Sequence, residues 1–211
     1  MKYINIIFDL DGTLWDSRST LIHSWNSILT KYNLLEKPLT ENDLNRFMGL
    51  LLPDILPILF PNGNPEKWNQ ILKEILEHEA EVLLEKGGIL YDGAEETLKK
   101  LVENHRLFIV SNCQDGYIEA FLDYFGFHSF FTDFESFGRT GKNKAENIAL
   151  VLTRNDLKKS ETVYIGDTQT DYLSATENEL DFIFCSYGFG NLDNYYNSLK
   201  IKELKDLINI V

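Results

Sequence analysis

The sequence is short of three things, and each shortage excludes a class of protein. It contains only two cysteines, Cys113 and Cys185, whose positions give no metal-ligand spacing, so we expect free thiols in a reducing cytoplasm. No segment approaches the roughly 18 consecutive apolar residues that a membrane helix requires. Acidic residues also interrupt the N-terminal apolar run too early for a signal peptide. We therefore expect a cytoplasmic protein that does not bind membranes.

Basic residues are the third shortage. The 211 residues include 20 lysines and arginines against 33 aspartates and glutamates, which gives a net charge of −13. Nucleic-acid binding depends largely on basic side chains that neutralise phosphates, so we expect no nucleic-acid partner. A small phosphorylated metabolite, held by a metal ion and one lysine, is compatible with this charge. Hydrophobic residues make up 44 % of the chain, which is enough for an ordered globular core.

Apolar strands alternate with helices over most of the chain, which predicts an α/β fold with a doubly wound parallel sheet. Residues 17–87 interrupt this alternation with a block whose apolar spacing is helical throughout. We predict a core formed by 1–16 and 88–211, with 17–87 inserted after the first strand as a helical cap over the ligand end of the sheet. The apolar spacing of Ile201 to Ile210 predicts a final helix.

The first strand ends in two carboxylates. Ile4 to Phe8 has the continuous apolar character of a strand covered on both faces, and Asp9 and Asp11 follow it in a glycine turn. Ligands of open α/β sheets bind beyond the carboxyl ends of the strands. Two carboxylates at this spacing lie on one side of an extended chain and repel each other unless a cation or a shared proton intervenes. Thr13 adds a hydroxyl for a bound anion. The alternative is an aspartate-rich turn that caps the next helix.

The strand around residues 107–110 ends in Ser111 and Asn112. A hydroxyl and an amide next to the start of a helix suit a phosphate oxygen, which the helix N-terminus also attracts. The same two residue types are common as helix N-caps, and this alternative carries equal weight for the pair taken alone.

Two lysines, Lys142 and Lys144, stand at the start of a predicted helix. The helix dipole disfavours cations at this end, so a lysine found there is expected to face an anionic site. We assign this role to Lys144 and keep Lys142 as the alternative. A solvent-exposed surface lysine is the other interpretation, and it fits at least one of the two.

A further strand ends in Asp167, and Asp171 follows four residues later. On the first turn of a helix this spacing brings Asp171 back toward the strand end. Asp167 can bind a hard cation directly, and Mg²⁺ favours such a partial carboxylate site completed by water and a substrate phosphate. Asp171 can hold a lysine or a metal-bound water. Acidic helix caps would also explain the pair, but structural explanations would then have to coincide at all four strand ends.

These four groups of residues, in this order along the chain, resemble the motifs of the haloacid dehalogenase-like superfamily of phosphohydrolases. The resemblance covers the whole chain. The first and fourth motifs are highly specific, whereas the second and third are short. In order, the motifs are Asp9-x-Asp11-Gly-Thr-Leu, Ser111-Asn112, Lys144 and Gly166-Asp167-x-x-x-Asp171.

The helical insert resembles the small cap of the phosphoglycolate phosphatase-like and β-phosphoglucomutase-like branch. The chain departs from that branch at Trp15, where a smaller aliphatic residue is more frequent, and around Lys144, which follows T-G-K-N rather than a K-P pattern. We expect Trp15, Arg18 and Arg46 to contribute to substrate specificity from the cap, with the two arginines available to pair with a second anionic group.

The resemblance implies a Rossmann-like core and a two-step phosphoryl transfer through an aspartyl-phosphate. Asp9 would be the nucleophile and Asp11 the general acid and base. Mg²⁺ would be held by Asp9, the main-chain carbonyl of Asp11 and Asp167. The groups expected to bind the phosphoryl oxygens are Thr13, Ser111, Asn112 and Lys144, with Asp171 in support.

Two other functions fit the same sequence. A phosphomutase of this architecture differs only in whether water or a sugar hydroxyl meets the aspartyl-phosphate. A non-catalytic binding or regulatory module on a phosphatase scaffold is the second, although a pure binder has no need of Asp11 as acid and base. The expected partner is a small phosphorylated metabolite, and the chain is expected to be a monomer or a homodimer.

Overall fold

A computed structural model describes residues 2–45, 47–60, 64–192 and 199–211. Its centre is a parallel sheet of six strands, in the order β5-β4-β1-β6-β7-β8. These strands are β1 (Asn5–Phe8), β4 (Arg106–Ser111), β5 (Phe131–Ser136), β6 (Thr162–Gly166), β7 (Asp181–Cys185) and β8 (Leu199–Ile201). The strand β1 lies inside the sheet between β4 and β6, and all of its residues are buried. The predicted fold class is confirmed.

Helices cover both faces of this sheet. Those of the core are α5 (Ala94–Leu101), α6 (Tyr117–Phe125), α7 (Phe137–Thr140), α8 (Lys144–Arg154) and α9 (Gln169–Glu177), with 3₁₀ turns at Lys159–Glu161 and Leu204–Asn209. Successive residues of β1 point to opposite faces. Ile6 therefore belongs to one apolar cluster with Phe121 of α6, and Ile7 to another with Ile148 of α8 and Ala175 of α9. This covering on both sides explains the unbroken apolar run of the first strand.

The chain leaves the sheet after β1 and forms a helical insertion. A two-stranded antiparallel ribbon, β2 (Trp15–Asp16) with β3 (Ile89–Leu90), joins the insertion to the core at both ends. Between these strands lie α1 (Arg18–Lys31), α2 (Glu41–Asn45), α3 (Leu52–Leu59) and α4 (Pro65–Lys86). The division into a core and a cap at residues 17 and 88 stays a prediction, because a domain boundary depends on how independently the two parts fold and move.

The predicted final helix over 201–210 is wrong. Ile201 ends the edge strand β8, and the segment Leu204–Asn209 is a 3₁₀ helix. Leu204 and Leu207 are both buried, and their spacing of three matches the three residues per turn of a 3₁₀ helix. In the sequence the same spacing is indistinguishable from one face of an α-helix.

Two smaller expectations concern the thiols and the membrane. Cys113 and Cys185 are both free, as predicted. Among the residues that the structure describes, no helix combines the length and the apolar character needed to cross a membrane.

Candidate active site

Asp9 is the first residue beyond β1, and the fold buries it. Its backbone N–H donates to the carbonyl of Ile165 in the neighbouring strand at 2.8 Å, which fixes the direction of the chain as it leaves the sheet. Its carboxylate is 3 % exposed, and Oδ1 lies 2.8 Å from Nζ of Lys144. Burial and the charge of Asp171 raise the pKa of Asp9 to about 7, although the Lys144 ammonium opposes the shift.

Lys144 is the first residue of α8, and it is buried among carboxylates. A capping box between Asn143 and Glu146 starts the helix, so the lysine is placed at the N-terminus facing the sheet edge. Its Nζ lies 2.5 Å from Asp171 Oδ1 as well as 2.8 Å from Asp9 Oδ1. Burial lowers the pKa of Lys144, but the charges of the two carboxylates outweigh it and the net shift is upward. Lys142 is exposed, so of the two lysines only Lys144 lies at the site.

Both carboxylate oxygens of Asp171 are occupied by hydrogen bonds from the protein. Oδ1 accepts from Lys144, and Oδ2 accepts from the backbone N–H groups of Asp167 at 3.1 Å and Thr168 at 2.9 Å. The Thr168 hydroxyl adds a third bond to Oδ2, at 2.7 Å. Asp171 therefore orients Lys144 and the first turn of α9, as expected from its spacing after Asp167. This makes it a positioning residue.

Asp167 follows β6, which pairs directly with β1, so it lies beside Asp9 at the same edge of the sheet. Its Oδ2 accepts from the backbone N–H of Phe189 at 2.7 Å and of Gly190 at 3.2 Å, so the loop after β7 fixes its orientation. Burial and the charges of Asp171 and Asp9 raise the pKa of Asp167 well above its usual range. Gly12 has a φ of +83°, and a side chain there would overlap the Asp167 carboxylate. The close approach of the first turn to Asp167 therefore requires glycine.

The donor set fits a divalent cation. Asp9, Asp167 and Asp171 are buried, and each offers a carboxylate oxygen within 4.8 Å of the others. Lys144 supplies one positive charge for these three carboxyl groups, and the raised pKa values of Asp9 and Asp167 show that their ionised forms are not fully compensated by the protein. Hard cations such as Mg²⁺ are bound by one or two carboxylates with water and phosphate oxygens. Asp9 and Asp167 each retain one oxygen with spare acceptor capacity, because Lys144 binds only Oδ1 of Asp9 and the backbone N–H groups bind only Oδ2 of Asp167. Both oxygens of Asp171 are taken by protein donors.

Asp11 is held by two hydroxyl groups. Ser17 Oγ donates to Asp11 Oδ1 at 2.5 Å, and the Tyr117 hydroxyl donates to the same oxygen at 2.9 Å. Burial raises the pKa of Asp11 to about 6, against the opposing effect of these hydrogen bonds. Ser17 and Tyr117 were not found from the sequence. Tyr117 lies on the apolar face of α6, where an aromatic residue indicates core packing, so the pattern gives no signal for its hydroxyl.

Asp9, Asp11, Ser111, Asn112 and Lys144 line one cavity of about 80 Å³. The Asn112 amide nitrogen donates to the Gly49 carbonyl at 3.0 Å, while its oxygen is buried without a partner in the described structure. Thr13 is fully buried, with Oγ1 3.5 Å from Asp167 Oδ1. The predicted phosphate-binding residues are thus gathered around Asp9, except that the Thr13 hydroxyl is directed at Asp167.

Residues of the helical insertion close the other side of the cavity. All but one of these residues are uncharged: Leu21, Trp25, Leu44, Phe47, Met48, Gly49, Leu50 and Ile55. One is charged: Glu79 of α4, which is 2 % exposed. The sequence analysis did not single it out, because α4 contains many glutamates and the spacing does not show which of them faces the cavity.

The structure does not bring Trp15 or Arg18 to the cavity wall. Trp15 is fully buried and packs edge-on against the rings of Tyr117 and Phe121, at centroid distances of 5.7 and 5.0 Å. The guanidinium of Arg18 pairs with Asp16 at 2.5 Å and lies 4.4 Å from the Phe189 ring centroid. Aromatic packing and a local ion pair occupy these two side chains, and their role in specificity stays a prediction. Arg46 lies outside the described residues.

Comparison with known proteins identifies the family. The sequence profile of the haloacid dehalogenase-like hydrolases matches residues 6–185, and the chain belongs to this family. A 5'-nucleotidase of Pseudomonas aeruginosa is 28 % identical over 92 % of this chain and 87 % of its own length. A phosphoglycolate phosphatase of Psychrobacter arcticus is 25 % identical over 87 % of this chain and 84 % of its own.

A solved structure supports the same assignment at the level of the fold. A haloacid dehalogenase-like family hydrolase of Streptococcus pneumoniae superposes with a TM-score of 0.84 and 22 % identity, over 99 % of this chain and 98 % of that one. Family membership and the phosphatase relatives confirm the prediction of a phosphatase-class enzyme with a haloacid dehalogenase-like fold.

Proposed function

We propose that this chain is a Mg²⁺-dependent phosphatase that hydrolyses a small phosphomonoester through an aspartyl-phosphate. The observation that carries the proposal is the placement of Asp9 and Asp11 in one cavity, with Asp9 paired to the buried Lys144. The names of the relatives support a small phosphorylated substrate. Consistent with the expectations from composition, we propose a cytoplasmic enzyme that acts as a monomer or a homodimer.

In the first step a carboxylate oxygen of Asp9 attacks the phosphorus atom, and the bond from phosphorus to the alcohol oxygen breaks. Asp11 gives its proton to the leaving alkoxide, for which a raised pKa of about 6 keeps a protonated fraction near neutral pH. In the second step Asp11 takes a proton from water, whose oxygen attacks the phosphorus and releases phosphate and the Asp9 carboxylate. The same side chain thus acts first as acid and then as base.

The phosphoryl oxygens would be bound by groups at the end of β4 and at the N-terminus of α8. Ser111 offers a hydroxyl, Lys144 an ammonium, and Asn112 an amide beside the cavity. These donors stabilise the charge that builds up on the phosphoryl group in the transition state. Thr13 would contribute only after a rotation of its hydroxyl away from Asp167. Asp171 acts through Lys144, which it holds in place.

Asp9, the main-chain carbonyl of Asp11 and Asp167 would hold Mg²⁺. When bound, the ion neutralises carboxylate and phosphate charge, so that an anionic nucleophile can approach an anionic substrate. The cluster of three buried carboxyl groups supports this assignment, because ionising all three inside the protein costs free energy unless a cation is bound.

The test is phosphate release from p-nitrophenyl phosphate, acetyl phosphate and a panel of small phosphomonoesters, with Mg²⁺ or with EDTA. We expect release that depends on the metal and is abolished in Asp9→Asn, with circular dichroism showing that the variant is folded. Substantial residual activity in Asp9→Asn would contradict the nucleophile assignment. Isomerisation of a sugar phosphate without release of phosphate would replace the proposal with a mutase.

A further inference from the structure

Glu79 is a buried carboxylate that faces the active-site cavity from the helical insertion. It is 2 % exposed and accepts one hydrogen bond on each oxygen, from the indole N–H of Trp25 and from the side-chain amide of Gln114. Trp25 belongs to α1, whereas Gln114 follows β4 in the core. Glu79 is therefore held in a fixed position between the insertion and the core.

Both protein partners of Glu79 are neutral. A carboxylate has about four acceptor positions, so two neutral donors leave about half of its capacity unused. Among the described residues that line the cavity, Lys144 is the only one with a positive charge, and it is already bound by Asp9 and Asp171. Burial and the nearby charge of Asp11 raise the pKa of Glu79 to about 8, against the two hydrogen bonds. The described site therefore gives Glu79 no cationic partner.

The position of Glu79 relative to Asp9 determines which part of a substrate it would meet. The phosphoryl group must lie beside Asp9, so the leaving alcohol extends from there toward the insertion. That wall is formed by apolar side chains such as Leu21, Leu44 and Ile55, and Glu79 is its only charged member among the described residues.

We propose that Glu79 determines substrate specificity by accepting a hydrogen bond from a hydroxyl or ammonium group of the leaving alcohol, and that the substrate carries no second anionic group. The inference rests on the proposed phosphatase function. A donor on the ligand supplies the partner that the protein does not give to this buried carboxylate. A ligand ammonium stabilises the ionised form of Glu79, whereas a ligand carboxylate buried next to the ionised Glu79, Asp9 and Asp11 is strongly unfavourable without a free cation. Amino-alcohol and polyol phosphates fit this description, and phosphoglycolate does not.

The first test needs only the wild-type chain. We would measure kcat/KM with Mg²⁺ at pH 9, where Glu79 with its pKa of about 8 is mostly ionised, for three esters of similar size: ethanolamine phosphate, glycerol 3-phosphate and 2-phosphoglycolate. We expect kcat/KM for at least one of the first two esters to exceed that for phosphoglycolate by about tenfold or more. A hydrogen bond to a charged group contributes a free energy of this size. If kcat/KM is highest for ethanolamine phosphate, the group that donates to Glu79 is an ammonium; if it is highest for glycerol 3-phosphate, that group is a hydroxyl. A preference for phosphoglycolate would overturn the inference.

The second test assigns any discrimination to Glu79. Glu79→Gln keeps the size of the side chain but removes its charge, so the preference over phosphoglycolate should fall by about tenfold. Glu81→Gln, on the exposed side of the same helix, is the matched control and should retain the wild-type ratio. An equal loss of kcat/KM for all three esters in Glu79→Gln would show a merely structural role and refute the inference.

Binding separates failure of the inference from failure of the proposed function. Calorimetric titration of the three esters into Asp9→Asn measures affinity without turnover. If the wild-type chain hydrolyses none of the panel, including p-nitrophenyl phosphate, the phosphatase proposal fails. The order of affinities then decides the inference alone: weaker binding of phosphoglycolate than of the other two supports it, and tighter or equal binding contradicts it.

Discussion

The phenol hydroxyl of Tyr117 donates a hydrogen bond of 2.9 Å to Oδ1 of Asp11, across 106 positions of the sequence. The same hydroxyl lies 2.7 Å from Ser17 Oγ, which also donates to Asp11 Oδ1. Because both hydroxyls bind Oδ1, we expect Asp11 to exchange its proton with a substrate through Oδ2. Tyr117 thus acts through Asp11 as a positioning residue for the proposed acid–base step.

Tyr117→Phe is expected to lower kcat by about 3- to 10-fold, since one hydrogen bond to a carboxylate is lost. KM should change little, because the ring still packs against Trp15 and the phosphate-binding groups are untouched. Steady-state kinetics on p-nitrophenyl phosphate would measure both constants. Tyr124→Phe, at an exposed position of the same helix, should behave as wild type. An unchanged kcat in Tyr117→Phe would show that Ser17 alone suffices.

Lys144 and Lys142 give a matched pair of variants. Lys144→Met leaves the buried carboxylates of Asp9 and Asp171 without their cation, which should lower the free energy of unfolding by about 3–5 kcal/mol. Phosphate release should fall by about 10²–10³-fold or more, as for the loss of a donor to transition-state charge. Lys142→Met removes an exposed side chain and should stay within about 0.5 kcal/mol of wild type. Urea unfolding and phosphate release distinguish the two; a loss in Lys142→Met instead would reverse our assignment.

Magnesium should stabilise the protein through Asp167. The melting temperature Tm is expected to rise with Mg²⁺ concentration, because a ligand that binds only the folded state stabilises it by mass action. KCl at equal ionic strength controls for screening. Asp167→Asn should lose this response and yet melt higher than wild type in EDTA, because one of three mutually repelling buried carboxylates is removed. Equal Mg²⁺ responses in the two proteins would exclude Asp167 as a ligand.

Glu79 gives the protein a defined dependence of stability on pH. Burial raises its pKa from the ordinary value of 4.5 to about 8, so between these values the folded chain retains a proton that the unfolded chain releases. Its contribution to stability is fully present below pH 4.5 and is lost as the pH rises toward 8, with a slope of up to about 1.4 kcal/mol per pH unit.

Glu79→Gln has no such proton, so its free energy of unfolding should fall less than that of wild type as the pH rises over this range. Urea unfolding at pH 5 and pH 8 measures the difference, and Glu81→Gln should follow the wild-type curve. The groups that face Glu79 are Trp25, Gln114 and, at longer range, Asp11, and all three are common to both proteins. Parallel pH curves for Glu79→Gln and wild type would contradict this account.

The sheet and the edge that carries the site were predictable because both depend on local pattern. The strands Arg106–Ser111 and Thr162–Gly166 lie where the sequence predicts strands, and each leads into the polar residues singled out from the sequence. Parallel strands present their carboxyl ends at one edge, so residues that follow several strands must lie near each other. This rule predicted the proximity of Asp9, Lys144 and Asp167 without any knowledge of their contacts.

The wrong prediction arises where one pattern has two physical meanings. The spacing of Leu204 and Leu207 fits an α-helix and a 3₁₀ helix equally, and the short strand before it lies at the edge of the sheet, where β7 is its only partner. Trp15 was expected to contribute to specificity because of its place next to the insertion, and this role stays a prediction although the indole is buried. The insertion begins with a short strand, however, and its pairing with β3 accompanies the burial of the indole against α6.

The sequence by itself determined the class of fold, the order of the motifs and the carboxylates on which the chemistry is proposed to depend. The tertiary structure alone decided which lysine is buried, which hydroxyls hold Asp11 and which of the many glutamates of α4 faces the cavity. The physical reason is that periodicity specifies the environment of a segment, whereas a hydrogen bond between distant residues depends on how whole elements pack. Tyr117 and Glu79 look like ordinary helix residues until α6 meets the turn after β1 and α4 meets the loop after β4.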